Sequence, residues 1–95
     1  MSIEKSLFNL EGKTALVTGA SYGMGRSFAQ TLAEAGANVV ITARNKKLLE
    51  ETEADLKKTG SKVLSISMDV SKPDDVARMI ETTVSKFHTL DIAVN

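Results

Sequence analysis

Residues 14–26 read "TALVTGASYGMGR", and the segment "TGASYGMGR" at 18–26 decides the reading of the whole chain. Gly19, Gly23 and Gly25 are three of only six glycines in 95 residues. Before them "KTALV" is a short apolar run. Met24 and the following "GRSFAQTLAEAG" place Met24, Phe28, Leu32 and Ala35 at spacings of four and three, which predicts a helix with those residues on its apolar face. Gly36 suits the stop of that helix. The glycines therefore fall in a strand-to-helix turn. N–H groups at a helix start have no intrahelical partner, and the helix dipole favours an anion there. A Gly-rich triplet alone also fits a plain tight turn. A strand before it and a helix after it point to a phosphate.

The rest of the chain repeats the unit. "NVVITAR" reads as a second strand and "NKKLLEETEADLKKTG" as a helix, with Asn45 as N-cap, Leu48, Leu49, Thr52 and Leu56 as its buried stripe and Gly60 as its end. "SKVLSISMDV" is a third strand. "SKPDDVARMIETTVSKF" is a third helix, with Ser71 as the expected N-cap, Pro73 in the first turn, and Asp74 and Asp75 against the positive end of the dipole. Its expected apolar face is Val76, Met79, Ile80, Thr83, Val84 and Phe87. "LDIAVN" is a fourth strand. The order βαβαβαβ predicts an α/β, Rossmann-type parallel sheet with helices on both faces and strand order 3-2-1-4. Strand four then lies at an edge, and Leu90, Ile92, Ala93 and Val94 are expected along it, making the isolated chain prone to association.

Composition narrows the function classes. The net charge is zero, with no basic stripe, which removes electrostatic support for nucleic-acid binding. Apolar runs are far too short to span a membrane. The first ten residues, "MSIEKSLFNL", lack the apolar core of a signal peptide, so a cytoplasmic location is expected. There is no cysteine, hence no disulfide or thiolate metal site, and no metal-ligating cluster stands out. His88, the only histidine, follows Phe87 at a helix end and reads as a surface or C-capping residue. Met24, Met68 and Met79 read as core fillers.

Ligands of such sheets bind beyond the carboxyl ends of the strands. Those ends fall near Gly19, Ala43, Asp69 and Asn95. At the first tip, Gly19 allows the sharp exit from the strand, and Gly23 and Gly25 let backbone and pyrophosphate approach. Thr18, Ser21 and Tyr22 add donors. At the second tip a dinucleotide fold usually offers an acid to the ribose 2′-OH. Here Ala43 is followed by Arg44, with Lys46 and Lys47 behind it, and the first acid is Glu50. A guanidinium matches a 2′-phosphate in charge and shape. The expected cofactor is NADP, with NAD as the alternative. At the third tip, Asp69 either accepts from an adenine amino group, with the Val70 backbone against a ring nitrogen, or helps Ser71 to start the next helix.

Together these stretches resemble the classical short-chain dehydrogenases/reductases. "TGASYGMGR" is similar to the family's T-G-x-x-x-G-x-G turn, Asp69-Val70 to its adenine-binding step, "LDIAVN" to the strand entering its N-N-A-G motif, and "FNLEGKTALVTGAS" to its opening. By that resemblance Gly19, Ser21, Tyr22, Met24 and Gly25 line the pyrophosphate, and Asn95 stands at the first Asn of N-N-A-G. Tyr22 occupies the place where NADP-preferring members commonly carry a basic residue, while Arg44 matches the basic position after the second strand. The resemblance implies an NAD(P)-dependent carbonyl reductase or alcohol dehydrogenase, acting on a small carbonyl or alcohol, whose parent is a homo-oligomer, tetramer or dimer. The family's catalytic Ser and Tyr-x-x-x-Lys lie beyond N-N-A-G, and the one tyrosine here is Tyr22. Residues 1–95 are thus expected to be the N-terminal part of a single dinucleotide-binding domain, without catalytic residues and inactive alone. A non-catalytic nucleotide-binding or sensor module is the alternative.

Overall fold

The computed structural model describes residues 9–69 and 71–94. The elements run β1 (Thr14–Thr18), α1 (Gly23–Glu34), β2 (Asn38–Ala43), α2 (Lys46–Lys57), β3 (Val63–Ser67), α3 (Pro73–Phe87) and β4 (Ile92–Val94). The strands are parallel and ordered β3-β2-β1-β4, the expected 3-2-1-4 sheet. Register places Val17 beside both Ile41 and Val94, and Ile41 beside Ser65.

Alternation along the strands divides the apolar residues between two faces. On one face Ala15, Val17, Val39 and Ile41 meet Ala29 and Ala33 of α1 and Leu49 and Leu56 of α2. On the other, Leu16 and Val40 meet Met68 and Met79, with Val76 and Phe87 of α3 packed around them. Helices therefore cover both faces. No described helix is long and apolar enough to cross a membrane.

The helix ends follow their capping chemistry. The Asn45 side chain accepts from Leu48 N at 3.0 Å, as expected. Gly36 and Gly60 hold positive φ just past the ends of α1 and α2. His88 caps α3 in the left-handed region at φ 67, its N–H donating to the Val84 carbonyl at 2.7 Å. Asp91 fastens β4 to the start of β1 twice. Its N–H donates to the Thr14 carbonyl, and its carboxylate accepts from Thr14 N, both at 2.9 Å.

Three expectations need correction. The buried stripe of α1 is Ala29 and Ala33, with Leu32 half-buried, whereas Met24 is 76% exposed and Phe28 48% exposed. The helix lies so close to the sheet that only small side chains fit beneath it. The large ones, one position earlier and about 100° round the helix, turn outward. Met24 is thus no core filler, although Met68 and Met79 are. On α3, Met79 and Thr83 are buried, while Ile80 and Val84 lie on the exposed flank. The N-cap of α3 is Lys72, not Ser71: the backbone enters the helix one residue later, and Ser71 sits in the turn before it, donating its hydroxyl and N–H to Asp69. As expected, β4 is an edge strand: Ala93 is exposed, while Ile92 and Val94 are half-buried on the α1 side and Leu90 is half-buried beneath α3.

Leu56 is fully buried between α2 and the sheet. Leu56→Ala is expected to cost about 2–5 kcal/mol through lost burial and a residual cavity. Denaturant unfolding checks this, and an unchanged midpoint would contradict the packing described.

Candidate functional site

The tips of β1, β2, β3 and β4 lie along one edge of the sheet, since Thr18 pairs with Thr42, Ala43 with Ser67 and Val17 with Val94. At the centre of that edge the chain leaves β1 through Gly19, at φ 66, and enters α1 through Gly23, at φ 64. Both conformations are open to glycine and strained for other residues. The Ala20 N–H donates to the Thr42 carbonyl at 3.1 Å and pins the turn to β2. Gly25 serves a different purpose. A Cβ there would fall on the carbonyl oxygen of Gly19. Its absence brings the start of α1 directly over the end of β1.

The start of α1 is left open to an anion. Its N-cap, Tyr22, is extended and makes no side-chain capping bond, and the first turn holds no acid. The first N–H groups of a helix have no carbonyl within the helix to bond. Tyr22 and Met24 are exposed around this end, at 72% and 76%, whereas Ser21 is buried beneath the turn. The Ser21 carbonyl faces α2, where it accepts from the buried Thr52 hydroxyl at 3.3 Å. Arg26, one residue beyond Gly25, pairs with Asp55 on the same helix. Thr52 reads from sequence only as part of the buried stripe of α2, and Arg26 and Asp55 are not singled out. The signal was the polar Thr52 within the stripe of Leu49 and Leu56.

At the β2 tip Arg44, Lys46 and Lys47 are all exposed. The lysines occupy the first turn of α2, which carries no acid. Cations at the positive end of a helix dipole repel it, and an anion bound there would relieve both. Across from them, at the β3 tip, Asp69 Oδ1 accepts from Ser71 Oγ at 2.7 Å and Ser71 N at 2.9 Å. These bonds, the hydroxyl's first, hold the Asp69 carboxyl below its ordinary value of 3.8, with a smaller contribution from the Arg44 charge. Asp69 is therefore ionised at neutral pH, and it also shapes the turn into α3, with Lys72 N donating to its carbonyl at 3.1 Å. Both sequence readings of Asp69 remain compatible with this geometry. The expected sites at Val70 and Asn95 lie outside the described residues. A separate groove of about 400 Å³ lies at the opposite end of the sheet, and Glu11 and Glu34 in its wall suit an anion poorly.

With this geometry in hand, similarity to known proteins is informative. A family profile described as short chain dehydrogenase matches residues 13–95. The short chain dehydrogenase/reductase astE of Aspergillus oryzae is 46% identical over 96 aligned positions, covering 100% of this chain and 37% of that protein. The structure of L-sorbose reductase from Gluconobacter frateurii, complexed with NADPH and L-sorbose, superposes with a TM-score of 0.88 at 37% identity, covering 93% of this chain and 34% of that one. NAD+-bound xylitol dehydrogenase superposes with a TM-score of 0.86 at 31% identity, covering 88% of this chain and 32% of that one. The chain spans about a third of the length of the relatives it matches.

The role of Gly25 can be checked on stability alone. Gly25→Ala is expected to cost about 1–3 kcal/mol, typical of overpacking against a fixed neighbour. A denaturant midpoint equal to that of the unaltered chain would contradict the close approach of α1 to Gly19.

Proposed function

This chain belongs to the short-chain dehydrogenase/reductase family, and from that premise we propose that it supplies the dinucleotide-binding part of an NADP-dependent oxidoreductase acting on a small carbonyl or alcohol. The observation that carries the reading is the uncapped, acid-free start of α1, held over the end of β1 by Gly19, Gly23 and Gly25. A pyrophosphate there would accept from the free N–H groups and meet the positive end of the dipole. Gly19, Ser21, Tyr22, Gly23, Met24 and Gly25 form that subsite, with Ser21 acting through the turn's shape. Asp69, ionised, accepts from the adenine amino group, and the proposal extends cofactor contact to the Val70 backbone and Asn95.

The choice of NADP over NAD rests on the β2 tip. Arg44, Lys46 and Lys47 cluster over the start of α2, and no acid stands where a ribose 2′-OH would need one. A 2′-phosphate would be held by the Arg44 fork and by the two ammonium groups. When bound, the nicotinamide end of the cofactor supplies or accepts the hydride. The part played by these 95 residues is to bind and orient that cofactor. Proton transfer is assigned to none of them. A cytoplasmic location and a homodimeric or homotetrameric assembly belong to the same reading.

Titration of the chain with the two reduced cofactors tests the assignment. Arg44→Ala is expected to weaken NADPH binding by roughly 1–3 kcal/mol, as for a lost charge-assisted contact. NADH binding should barely change. Equal losses for both, or none, would remove the 2′-phosphate assignment.

A further inference from the structure

We infer that α2 braces the Gly-rich turn, with Thr52 and Asp55 as positioning residues that hold the turn in its anion-accepting shape. Thr52 is fully buried, although its position in the stripe could have held an apolar residue. Its hydroxyl lies 3.1 Å from the Leu48 carbonyl, the ordinary back-bond of a helical threonine. That bond alone would satisfy it. The same hydroxyl's single proton is shared with the Ser21 carbonyl at 3.3 Å, across 31 positions of sequence. Ser21 precedes the N-cap, so its carbonyl stands outside the ladder of α1, whose first acceptor is the N-cap itself. Three residues on, along one face of α2, Asp55 takes Arg26, the residue that follows Gly25. The two contacts grip the turn on either side of Tyr22–Gly25. The opposite sides of α2 carry out another task, since Lys46 and Lys47 open the same helix beside Arg44. One rigid helix thereby fixes the distance between the turn and the cationic tip. The inference rests on the dinucleotide reading for its ligand, and on these contacts for its geometry.

The brace is tested without cofactor by hydrogen exchange in the 95-residue chain. The Ala20 amide, bonded to Thr42, reports the turn. The Val39 amide, bonded to the Lys62 carbonyl, reports the sheet. Thr52→Val keeps the shape and removes the hydroxyl. It is expected to speed exchange at Ala20 several-fold relative to Val39, and Thr52→Ser should restore protection. A general loss of stability would move both amides together and would overturn the inference, as would an unchanged Ala20. If Thr52→Val does not fold, Asp55→Asn, which removes a half-exposed ion pair, gives the same decision from the same two amides. With ligand, Thr52→Val should weaken NADPH and NADH by the same factor, about three- to ten-fold, as for one hydrogen bond. Adenosine 2′-phosphate, which has no pyrophosphate, should bind unchanged, and Thr52→Ser should restore both dinucleotides. Equal weakening of all three ligands would reduce Thr52 to a packing residue. Failure of the unaltered chain to bind any dinucleotide would defeat the functional reading, while the exchange at Ala20 still decides the brace.

Discussion

The start of α1 rests on the backbone of Gly19 with no side chain between them, because position 25 carries none. That contact sets the distance from the helix to the sheet. The distance in turn selects the inward face of α1, the small side chains of Ala29 and Ala33, and leaves Met24 and Phe28 outside. It places the first N–H groups of α1 directly beyond β1, flanked by β2 and β4. The small-residue core on this face and the open anion subsite both follow from that close approach.

Charge is distributed along the same edge with a clear division. Three helices begin there, and each treats its positive end differently. α3 carries Asp74 and Asp75 in its first turn, so its dipole is already compensated. α2 satisfies one N–H through Asn45 but places Lys46 and Lys47 over the rest. α1 has neither cap nor acid. Uncompensated positive potential therefore runs from the β1 tip to the β2 tip and ends at Asp69, whose charge is secured by Ser71. An elongated ligand with two phosphate positions and an amino-bearing ring fits that sequence of potentials. The neutral total of the chain gives no hint of it, because lysines and acids elsewhere balance the sum.

Much of this was legible in the residues. Alternating strand and helix periods, with glycine at the stops of α1 and α2, lead to the parallel 3-2-1-4 sheet, and Asn45 and His88 are the caps expected. What sequence missed has a common cause. Periodicity ranks residues by hydrophobicity, and it put Met24 and Phe28 inward. The close approach imposed by Gly25 ranks them by size instead. Ser71 looks like a cap because it is a serine before a helix, but the helix starts one residue later, after Lys72, and Ser71 lies in the preceding turn with its hydroxyl donating to Asp69. The partnership of Thr52 with Ser21 joins positions 31 apart, and no local pattern encodes which carbonyl a buried hydroxyl will meet. At the β4 edge, membership of the edge was foreseen, while the inward packing of Leu90 and Ile92 depends on the faces that α1 and α3 provide.

The central claim is that phosphate sits against the backbone of the Gly-rich turn. Nitrogen-resolved NMR shifts of the chain on titration with NADPH address it most directly, because each amide reports separately. The expected result is a saturable set of shifts centred on Gly19 and Tyr22–Gly25, with a second set at Arg44–Lys47. Saturable shifts confined to the opposite end of the sheet, around Gly36, Asn38 and Lys62, would contradict it.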